Sequence, residues 1–261
     1  MKRTKIDCIP FVLPERLRGY LEGATIYDSS CSPEARVWFL DAGEGYYLKR
    51  SAVGALQREA VMTSYFGEKG LGARVLCYAS DADADYLLTS RVKGEDCTDP
   101  RYLAEPRRLA VLLGETLRAL HETDPSGCPV SDHTAAYLAT AEQNRAVGCA
   151  DISYARSYGL ESSDEAWAVL SRERKYLRNE VLLHGDYCLP NIMLEDFCLS
   201  GFIDVGNGGI GDRHVDLFWG AWTLAYNLGT DEYRGLFFDA YGRELVDPER
   251  LRTVAAAETF G

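Results

Sequence analysis

The 261-residue chain carries 40 acidic and 28 basic residues, which gives a formal net charge of −12 at pH 7. This balance disfavours nucleic acid and anionic membranes as partners, and it favours a cationic small-molecule ligand. The sequence contains no apolar run long enough to span a bilayer, and no apolar signal core follows its basic start, so we expect a cytoplasmic protein.

The first third of the chain reads as strands and turns, because short runs rich in β-branched and aromatic residues alternate with turn residues. Strands are predicted at 24–27, 36–40, 46–49, 74–78 and 85–89, with one helix at about 54–66. Strand signals then become sparse, with two later runs at 181–183 and 199–203. Helical spacing of apolar residues predicts helices at 106–121, 133–147, 163–178, 214–228, 231–241 and 248–259.

This order of elements predicts an α+β protein with two lobes, which also suits the length of the chain. The small N-terminal lobe, residues 1–89, would hold an antiparallel sheet and one helix. Residues 90–94 would form a hinge. The larger lobe, residues 95–261, would be mostly helical.

The most informative motif lies at residues 184–191, which read HGDYCLPN, and continues at 202–204, which read FID. Asn191 follows Asp186 by five residues, and Asp204 follows it by eighteen. Kinases place a catalytic aspartate, a metal-binding asparagine and a metal-binding aspartate in this order. An acidic turn between two strands is the structural alternative, but it leaves the spacing unexplained.

The chemistry of phosphoryl transfer explains this group of residues. Mg²⁺ requires hard oxygen ligands, a task that suits Asn191 and Asp204. A separate carboxylate must orient the attacking hydroxyl and accept its proton, which suits Asp186. A surface contact would be the ordinary interpretation of a Lys–Glu pair, but the same template predicts Lys49 on the phosphates and Glu59, on the following helix, as its partner. Glu68 at the end of that helix is a weaker candidate.

Two further features of the small lobe suggest a nucleotide. Tyr47 lies two residues before Lys49 and therefore shares its side of the strand, where it could stack on adenine or belong to the core. The segment 29–32, which ends at Ser32, could cover phosphates with backbone amides and hydroxyls. Because no GxGxxG motif is present, this loop is the weakest of the nucleotide signals.

Residues 184–191, the run GFIDVG at 201–206 and the run GDRHVD at 211–216 resemble the aminoglycoside phosphotransferases, most closely their 3′-phosphotransferase branch, which confers resistance to kanamycin-type antibiotics. The resemblance implies a protein-kinase-like fold, ATP or GTP as phosphate donor, and Mg²⁺. The lobe of residues 1–89 would then bind the nucleotide, and the lobe of residues 95–261 would carry the catalytic and acceptor-binding groups. The resemblance also implies that Asp186 is the catalytic base, that Asn191 and Asp204 bind the metal, and that backbone groups near Ser90 and Val92 read the adenine edge.

The sequence departs from that branch where the acceptor would bind. Asn207 stands where members typically carry an arginine, and Trp222, Tyr226 and Asn227 replace a charged patch. A polycationic aminosugar nevertheless needs carboxylates. The candidates are Asp151, Glu161, Glu258 and the terminal carboxylate of Gly261, each of which could equally be a solvated surface group.

Three alternatives remain open. A kinase of the same fold could act on another hydroxylated metabolite or antibiotic, as the aromatic replacements suggest. A pseudokinase is disfavoured because Lys49, Asp186, Asn191 and Asp204 are all present. A metal-dependent hydrolase would require paired His and Asp ligands that the sequence lacks. We expect a monomer or weak homodimer that binds neither nucleic acid nor membrane.

Overall fold

The computed structural model describes residues 3–31, 33 and 35–261. Ser32, predicted to contact phosphates, lies outside the described residues. The chain forms two compact units: residues 1–97 with 190–207, and residues 98–189 with 208–261. Helices dominate the second unit and an antiparallel sheet dominates the first, so the predicted α+β class is confirmed. The hinge at 90–94 stays a prediction.

The first unit is built on a six-stranded antiparallel sheet. Its strands lie in the order β1-β2-β3-β4-β6-β5. They are β1 (Thr4–Ile6), β2 (Thr25–Asp28), β3 (Ala35–Asp41), β4 (Tyr46–Ser51), β5 (Val75–Ser80) and β6 (Asp85–Ser90). The helices of this unit are α1 (Glu15–Arg18) and α2 (Gln57–Glu68). Five of these six strands were predicted to within two residues at each end.

Alternation along β4 separates the core of the first unit from its functional face. Leu48 lies opposite Trp38 on β3 and Leu88 on β6, and these three fully buried side chains form the centre of the core. Lys49 is the next residue along β4, so its side chain projects from the opposite face. A shift of one residue in register would therefore exchange the core and the site.

A second, three-stranded sheet completes the first unit. Its strands are ordered β10-β9-β7 and comprise β7 (Glu95–Asp96), β9 (Ile192–Glu195) and β10 (Cys198–Phe202). The turn between β9 and β10 holds Asp196 and Phe197, both with positive φ. Two such residues form the type I′ turn that matches the twist of a hairpin. Because β7 and β9 are very short and show no alternation, the sequence did not reveal them.

The second unit consists mainly of helices. They are α3 (Pro100–Leu103), α4 (Pro106–His121), α5 (His133–Ala146), α6 (Ser153–Arg156), α7 (Ser163–Glu173), α8 (His214–Leu228), α9 (Arg234–Tyr241) and α10 (Pro248–Glu258). A two-stranded antiparallel pair, β8 (Val181–Leu183) with β11 (Gly209–Gly211), accompanies them. Helix α4 packs closely on α9: a Cβ on Gly114 would lie 2.4 Å from the carbonyl oxygen of Phe237.

Helix boundaries were predicted with uneven success. The limits of α4 and α8 match the prediction at both ends. The predicted helix 163–178 is wrong at its end, because the α-helix stops at Glu173 and a 3₁₀ turn follows at Arg174–Tyr176. Such tighter turns are frequent at helix termini. The predicted helix 231–241 begins three residues later than expected, at Arg234.

Candidate active site

One lysine contacts two carboxylates in the first unit. The Nζ atom of Lys49 lies 2.8 Å from Oε2 of Glu59 and 2.9 Å from Oδ1 of Asp204. Strand β4 supplies the lysine, α2 supplies Glu59, and the segment after β10 supplies Asp204. The Lys49–Glu59 pair expected from the sequence is thus present, and Asp204 joins it.

The two carboxylates determine the protonation of this group. Burial of Lys49 disfavours its charge, but the negative charges of Asp204 and Glu59 outweigh that cost and raise the pKa of Lys49 to about 12. Burial and the nearby Asp204 raise the pKa of Glu59 above its ordinary value. Two carboxylates therefore share one ammonium, which leaves an excess of negative charge that a cation can neutralise.

The backbone around Asp204 is strained and tied to Asn191. Asp204 has φ +56°, in the left-handed region that aspartate and asparagine tolerate better than most residues. The preceding amide, of Ile203, donates a 3.0 Å hydrogen bond to the carbonyl oxygen of Asn191. The two residues predicted to bind metal are thus linked through the backbone, and both side chains border the cavity described next.

A cavity of about 280 Å³ opens beside Lys49 within the first unit. Its lining includes Tyr47, Ser90 and Val92, the three residues predicted to lie near adenine. It also includes the following residues from the strands and from the segment before β3: Ser29, Cys31, Val37, Leu87 and Thr89. A cavity lined by apolar side chains together with polar groups is typical of a small-molecule site. The arrangement could hold a flat base and place a charged tail beside Lys49.

Tyr47 is positioned by neighbours in its own unit. Its ring packs against Phe39 with centroids 5.2 Å apart. Its hydroxyl accepts a 2.5 Å hydrogen bond from Arg3, whose guanidinium lies 3.9 Å from the centre of the Phe39 ring. Tyr47 is therefore half-buried between the cavity and an N-terminal cation, rather than a residue of the core around Leu48.

The second unit contains the loop with Asp186, which is held by a buried carboxylate. Asp216 of α8 accepts hydrogen bonds from the backbone amides of His184, at 2.7 Å, and Gly185, at 2.8 Å. Its carboxylate also lies 3.1 Å from Nε2 of His121. Burial lowers the pKa of His121, which fits a neutral ring that donates from Nε2 to Asp216 and accepts at Nδ1 from Tyr241.

These supporting residues were missed in the sequence analysis. Asp216 was noted only as part of a motif, and His121 was given no role. Thr223 was also missed, although its hydroxyl accepts a 3.2 Å hydrogen bond from the amide of Leu189. The helical spacing of Asp216 and Thr223, two turns apart, indicates a shared face of α8, but nothing in the sequence identifies the loop that this face supports.

The carboxylates predicted to bind the acceptor lie in different surroundings. Asp151 is exposed, and hydrogen bonds from the side chain of Ser153 and from its amide, the latter 2.9 Å long, lower the pKa of the Asp151 carboxyl. Glu161 is also exposed, and its amide donates to the Glu165 side chain at 2.8 Å before α7 begins. Gly261 is exposed as well.

Glu258 differs from the other three carboxylates because only 6% of it is exposed. Its Oε1 accepts hydrogen bonds from the Tyr137 hydroxyl at 2.8 Å and from Nε1 of Trp219 at 3.1 Å. Burial, with a smaller contribution from the charge of Asp186, raises the pKa of Glu258 to about 7. Glu258 is therefore not the solvated surface group that the sequence left open as an alternative, but a buried carboxyl hydrogen-bonded to two aromatic side chains.

A second acidic cluster in this unit is neutralised by arginines. Ligand-type atoms of Glu180, Asp212 and His214 come within 4.8 Å of one another. However, Arg213 lies 2.8 Å from Glu180, and Arg250 lies 3.3 Å from Glu180 and 2.9 Å from Asp212. The charge of these carboxylates is already balanced, which makes the cluster a structural network.

Comparisons with known proteins agree with this geometry. The sequence profile described as the phosphotransferase enzyme family matches residues 32–254. A probable aminoglycoside 3′-phosphotransferase of Lactococcus lactis is 46% identical over 261 residues, which span all of this chain and 99% of that protein. The chain belongs to the aminoglycoside phosphotransferase family. It is therefore a phosphotransferase that acts on hydroxyl groups, and its fold is kinase-like.

Solved structures of this family resemble the phosphotransferase along most of its length. A type VIII aminoglycoside 3′-phosphotransferase has a TM-score of 0.78 and 28% identity, and the match covers 94% of this chain and 97% of the other. An aminoglycoside phosphotransferase of Streptomyces rimosus, solved with ADP and streptomycin, has a TM-score of 0.68, 26% identity and coverage of 87% and 91%. Among the described residues, no helix is long and apolar enough to cross a membrane.

Proposed function

We propose that this phosphotransferase transfers the γ-phosphate of ATP to the 3′-hydroxyl of an aminoglycoside and so confers resistance to such antibiotics. The observation that carries the proposal is the contact of Lys49 with both Glu59 and Asp204, beside the cavity of about 280 Å³. The likeness to proteins named aminoglycoside 3′-phosphotransferase supports the acceptor class.

The nucleotide would bind in the cavity of the first unit. The base would stack on Tyr47, with its edge read by backbone groups near Ser90 and Val92. Lys49 would neutralise the phosphates, while Glu59 holds the lysine in place. ATP is the expected donor, and GTP would be tested beside it.

The fit of a metal to the site rests on its donor set. Asn191 and Asp204 offer hard oxygen atoms to the same cavity, and the shared lysine leaves negative charge there. Mg²⁺ bound by these two residues would neutralise charge on the phosphates. Lys49 would then be free to turn from Asp204 toward the nucleotide.

Asp186 would act on the acceptor. We assign it the role of orienting the attacking hydroxyl and accepting its proton. Chain continuity keeps Asp186 within about 18 Å of Asn191, the longest span that five residues allow. Asp216 would keep the loop rigid through its bonds to His184 and Gly185.

The acceptor would be a cationic aminosugar, with Asp151, Glu161, Glu258 and Gly261 as candidate contributors. Trp222 and Tyr226 favour a second candidate, an uncharged hydroxylated antibiotic, because they are aromatic rather than acidic.

The test measures phosphate transfer from ATP and from GTP to kanamycin- and neomycin-type compounds, to streptomycin and to uncharged antibiotics. Turnover of the uncharged compounds alone would refute the proposal that the acceptor is an aminoglycoside, but it would leave the proposed kinase activity standing. Size-exclusion chromatography would test the proposed monomer or weak homodimer.

A further inference from the structure

A fully buried carboxylate, that of Asp85, lies at the start of strand β6 in the first unit. Two hydroxyl groups of the neighbouring strand β5 donate to it. The Ser80 hydroxyl lies 2.6 Å from Oδ1, and the Tyr78 hydroxyl lies 3.0 Å from Oδ2. Because an aspartate is almost never fully buried unless it is paired, the partners of Asp85 indicate what this side chain does.

Two further partners of Asp85 lie at the start of helix α2. The amide of Leu56, the residue just before the helix, donates to Oδ2 at 3.0 Å, and the amide of Gly54 also donates to the carboxylate. The first amides of a helix have no acceptor within the helix, and its N-terminus carries partial positive charge. Leu56 has no side chain that could cap α2. Asp85 therefore supplies the cap from a strand that lies 29 residues further along the chain.

The same end of α2 packs on strand β6. Leu56 and Ala60 form a buried cluster with Leu87, which follows Asp85 by two residues. Side chains two residues apart on a strand share one face. Asp85 and Leu87 thus both face α2, so that the carboxylate holds the start of the helix and the leucine supports its side.

This arrangement connects Asp85 to both members of the Lys49–Glu59 pair. Glu59 lies in the first turn of α2, three residues after Leu56. Lys49 lies on β4 directly opposite Leu87 of β6. The register of the sheet therefore places Lys49 relative to Asp85, and the cap places Glu59 relative to Asp85. The 2.8 Å contact between Lys49 and Glu59 depends on both placements.

Asp85 keeps its negative charge in this position. Burial disfavours the charge, but the hydrogen bonds from Ser80, from the amides of Gly54 and Leu56 and from Tyr78 outweigh that cost and hold the pKa of the Asp85 carboxyl below its ordinary value. A charged acceptor binds amides more strongly than a neutral acceptor does. Asparagine at this position would therefore keep the shape of the side chain but weaken the cap.

We propose that Asp85 is a positioning residue for the phosphotransferase reaction, because it holds the first turn of α2 where Glu59 can reach Lys49. Asp85 does not line the cavity and acts only through Glu59. This inference rests on the proposed function, because it takes Lys49 to bind the phosphates of ATP.

The first test compares two aspartates that accept backbone amides. Asp85→Asn should lower kcat/KM for ATP by about tenfold, the equivalent of weakening one charge-assisted hydrogen bond. KM for the acceptor, measured at saturating ATP, should stay within about twofold of wild type. Asp81→Asn is the matched control, because the exposed Asp81 accepts the amides of Asp83 and Ala84 in the turn before β6 rather than those of α2.

A double-mutant cycle with Glu59→Gln separates positioning from a general loss of stability. If Asp85 acts through Glu59, adding Asp85→Asn to Glu59→Gln should change kcat/KM for ATP by less than about twofold. The same tenfold loss in both backgrounds would show that Asp85 acts independently of Glu59 and would overturn the inference. If Asp85→Asn does not fold, Tyr78→Phe takes its place in the cycle, since it removes one donor to Asp85 and leaves α2 unchanged. Its smaller loss should likewise disappear in Glu59→Gln.

Failure of this inference can be distinguished from failure of the proposed function. Equal kcat/KM for ATP in Asp85→Asn and Asp81→Asn, with an active wild type, would overturn the role of Asp85 and leave the proposed function standing. If wild type transfers phosphate from neither ATP nor GTP to any acceptor, the proposed function fails before any variant is compared, and the role of Asp85 fails with it.

Discussion

Gly206 lies against Glu59 so closely that a Cβ on the glycine would be 3.0 Å from the Glu59 Cβ and 3.3 Å from its Cα. Gly206 follows Asp204 by two residues, and Glu59 is the α2 residue that contacts Lys49. The glycine thus allows α2 to approach the segment with Asp204 closely enough for both carboxylates to reach one ammonium. A larger residue at position 206 would collide with Glu59, so the close approach requires glycine there.

Gly206→Ala should therefore displace Glu59 and weaken nucleotide binding. The added methyl group would push on backbone as well as side-chain atoms, and such overpacking typically costs about 1–3 kcal/mol. We expect KM for ATP to rise by about fivefold or more, with a smaller change in KM for the acceptor. Gly19→Ala is the matched control, since a Cβ there meets nothing within 4 Å. Equal ATP kinetics in the two variants would contradict this role of Gly206.

Asp204→Asn tests the metal site without disturbing the backbone. Asparagine tolerates the φ of +56° at this position, which alanine would adopt at a cost. The loss of one charge should abolish Mg²⁺-dependent ATP binding and turnover together, since Mg²⁺ held by Asp204 and Asn191 would supply the positive charge that both require. Isothermal titration with MgATP measures the effect. Binding as tight as in wild type would exclude Asp204 as a metal ligand.

Asp186→Asn should affect the chemical step alone. The loss of a positioned general base should lower kcat by about 10²- to 10⁴-fold, while the affinity for ATP changes little. Asp196→Asn is the control, because it makes the same substitution in an exposed hairpin turn. A variant that retained more than about a third of the wild-type rate would rule out Asp186 as the base.

The stability of the protein should depend on the ionisation of Glu258. Folding raises the pKa of this carboxyl from 4.5 to about 7, chiefly by burial. Between these values the folded state binds more protons than the unfolded state, so the free energy of unfolding falls as pH rises. The decrease attributable to this group should reach about 3 kcal/mol and level off above pH 7.

Glu258→Gln should remove this part of the pH dependence. Relative to wild type, the variant should be more stable at pH 8 than at pH 5, because glutamine carries no proton to lose. Urea unfolding at both pH values measures the difference. Glu161→Gln, a change at an exposed glutamate, should leave the wild-type dependence unaltered. If the free energy of unfolding changed with pH in the same way in wild type and in Glu258→Gln, Glu258 would have its ordinary pKa in the folded protein.

Local sequence was sufficient to predict the helices whose apolar residues recur at helical spacing or whose first residues carry clear capping signals. Helix α4 has its first-turn proline and leucines at helical spacing, and α10 begins after Asp247, whose side chain accepts bonds from the amides of Glu249 and Arg250. The C-terminal end of α7 and the start of α9 were predicted poorly. Packing rather than local preference decides where a helix gives way to a tighter turn. The two-residue strand β7 forms only because it pairs with β9, about 100 residues further along the chain.

The sequence by itself determined which residues could do the chemistry. The spacing of Asp186, Asn191 and Asp204 follows the order required for phosphoryl transfer, and strand alternation separates Lys49 from the buried Leu48. These signals are local or depend only on the order of residues along the chain, so they can be identified without knowledge of the tertiary structure.

Only the tertiary structure decided how those residues are supported. Asp216 reaches amides 31 and 32 residues away, and Lys49 meets Asp204 across 155 residues. Tertiary packing likewise buried Glu258, whose carboxylate bonds to Trp219, although the sequence allowed either an acceptor-binding carboxylate or a solvated surface group. Such contacts depend on the close approach of distant elements, and no single stretch of sequence encodes that approach.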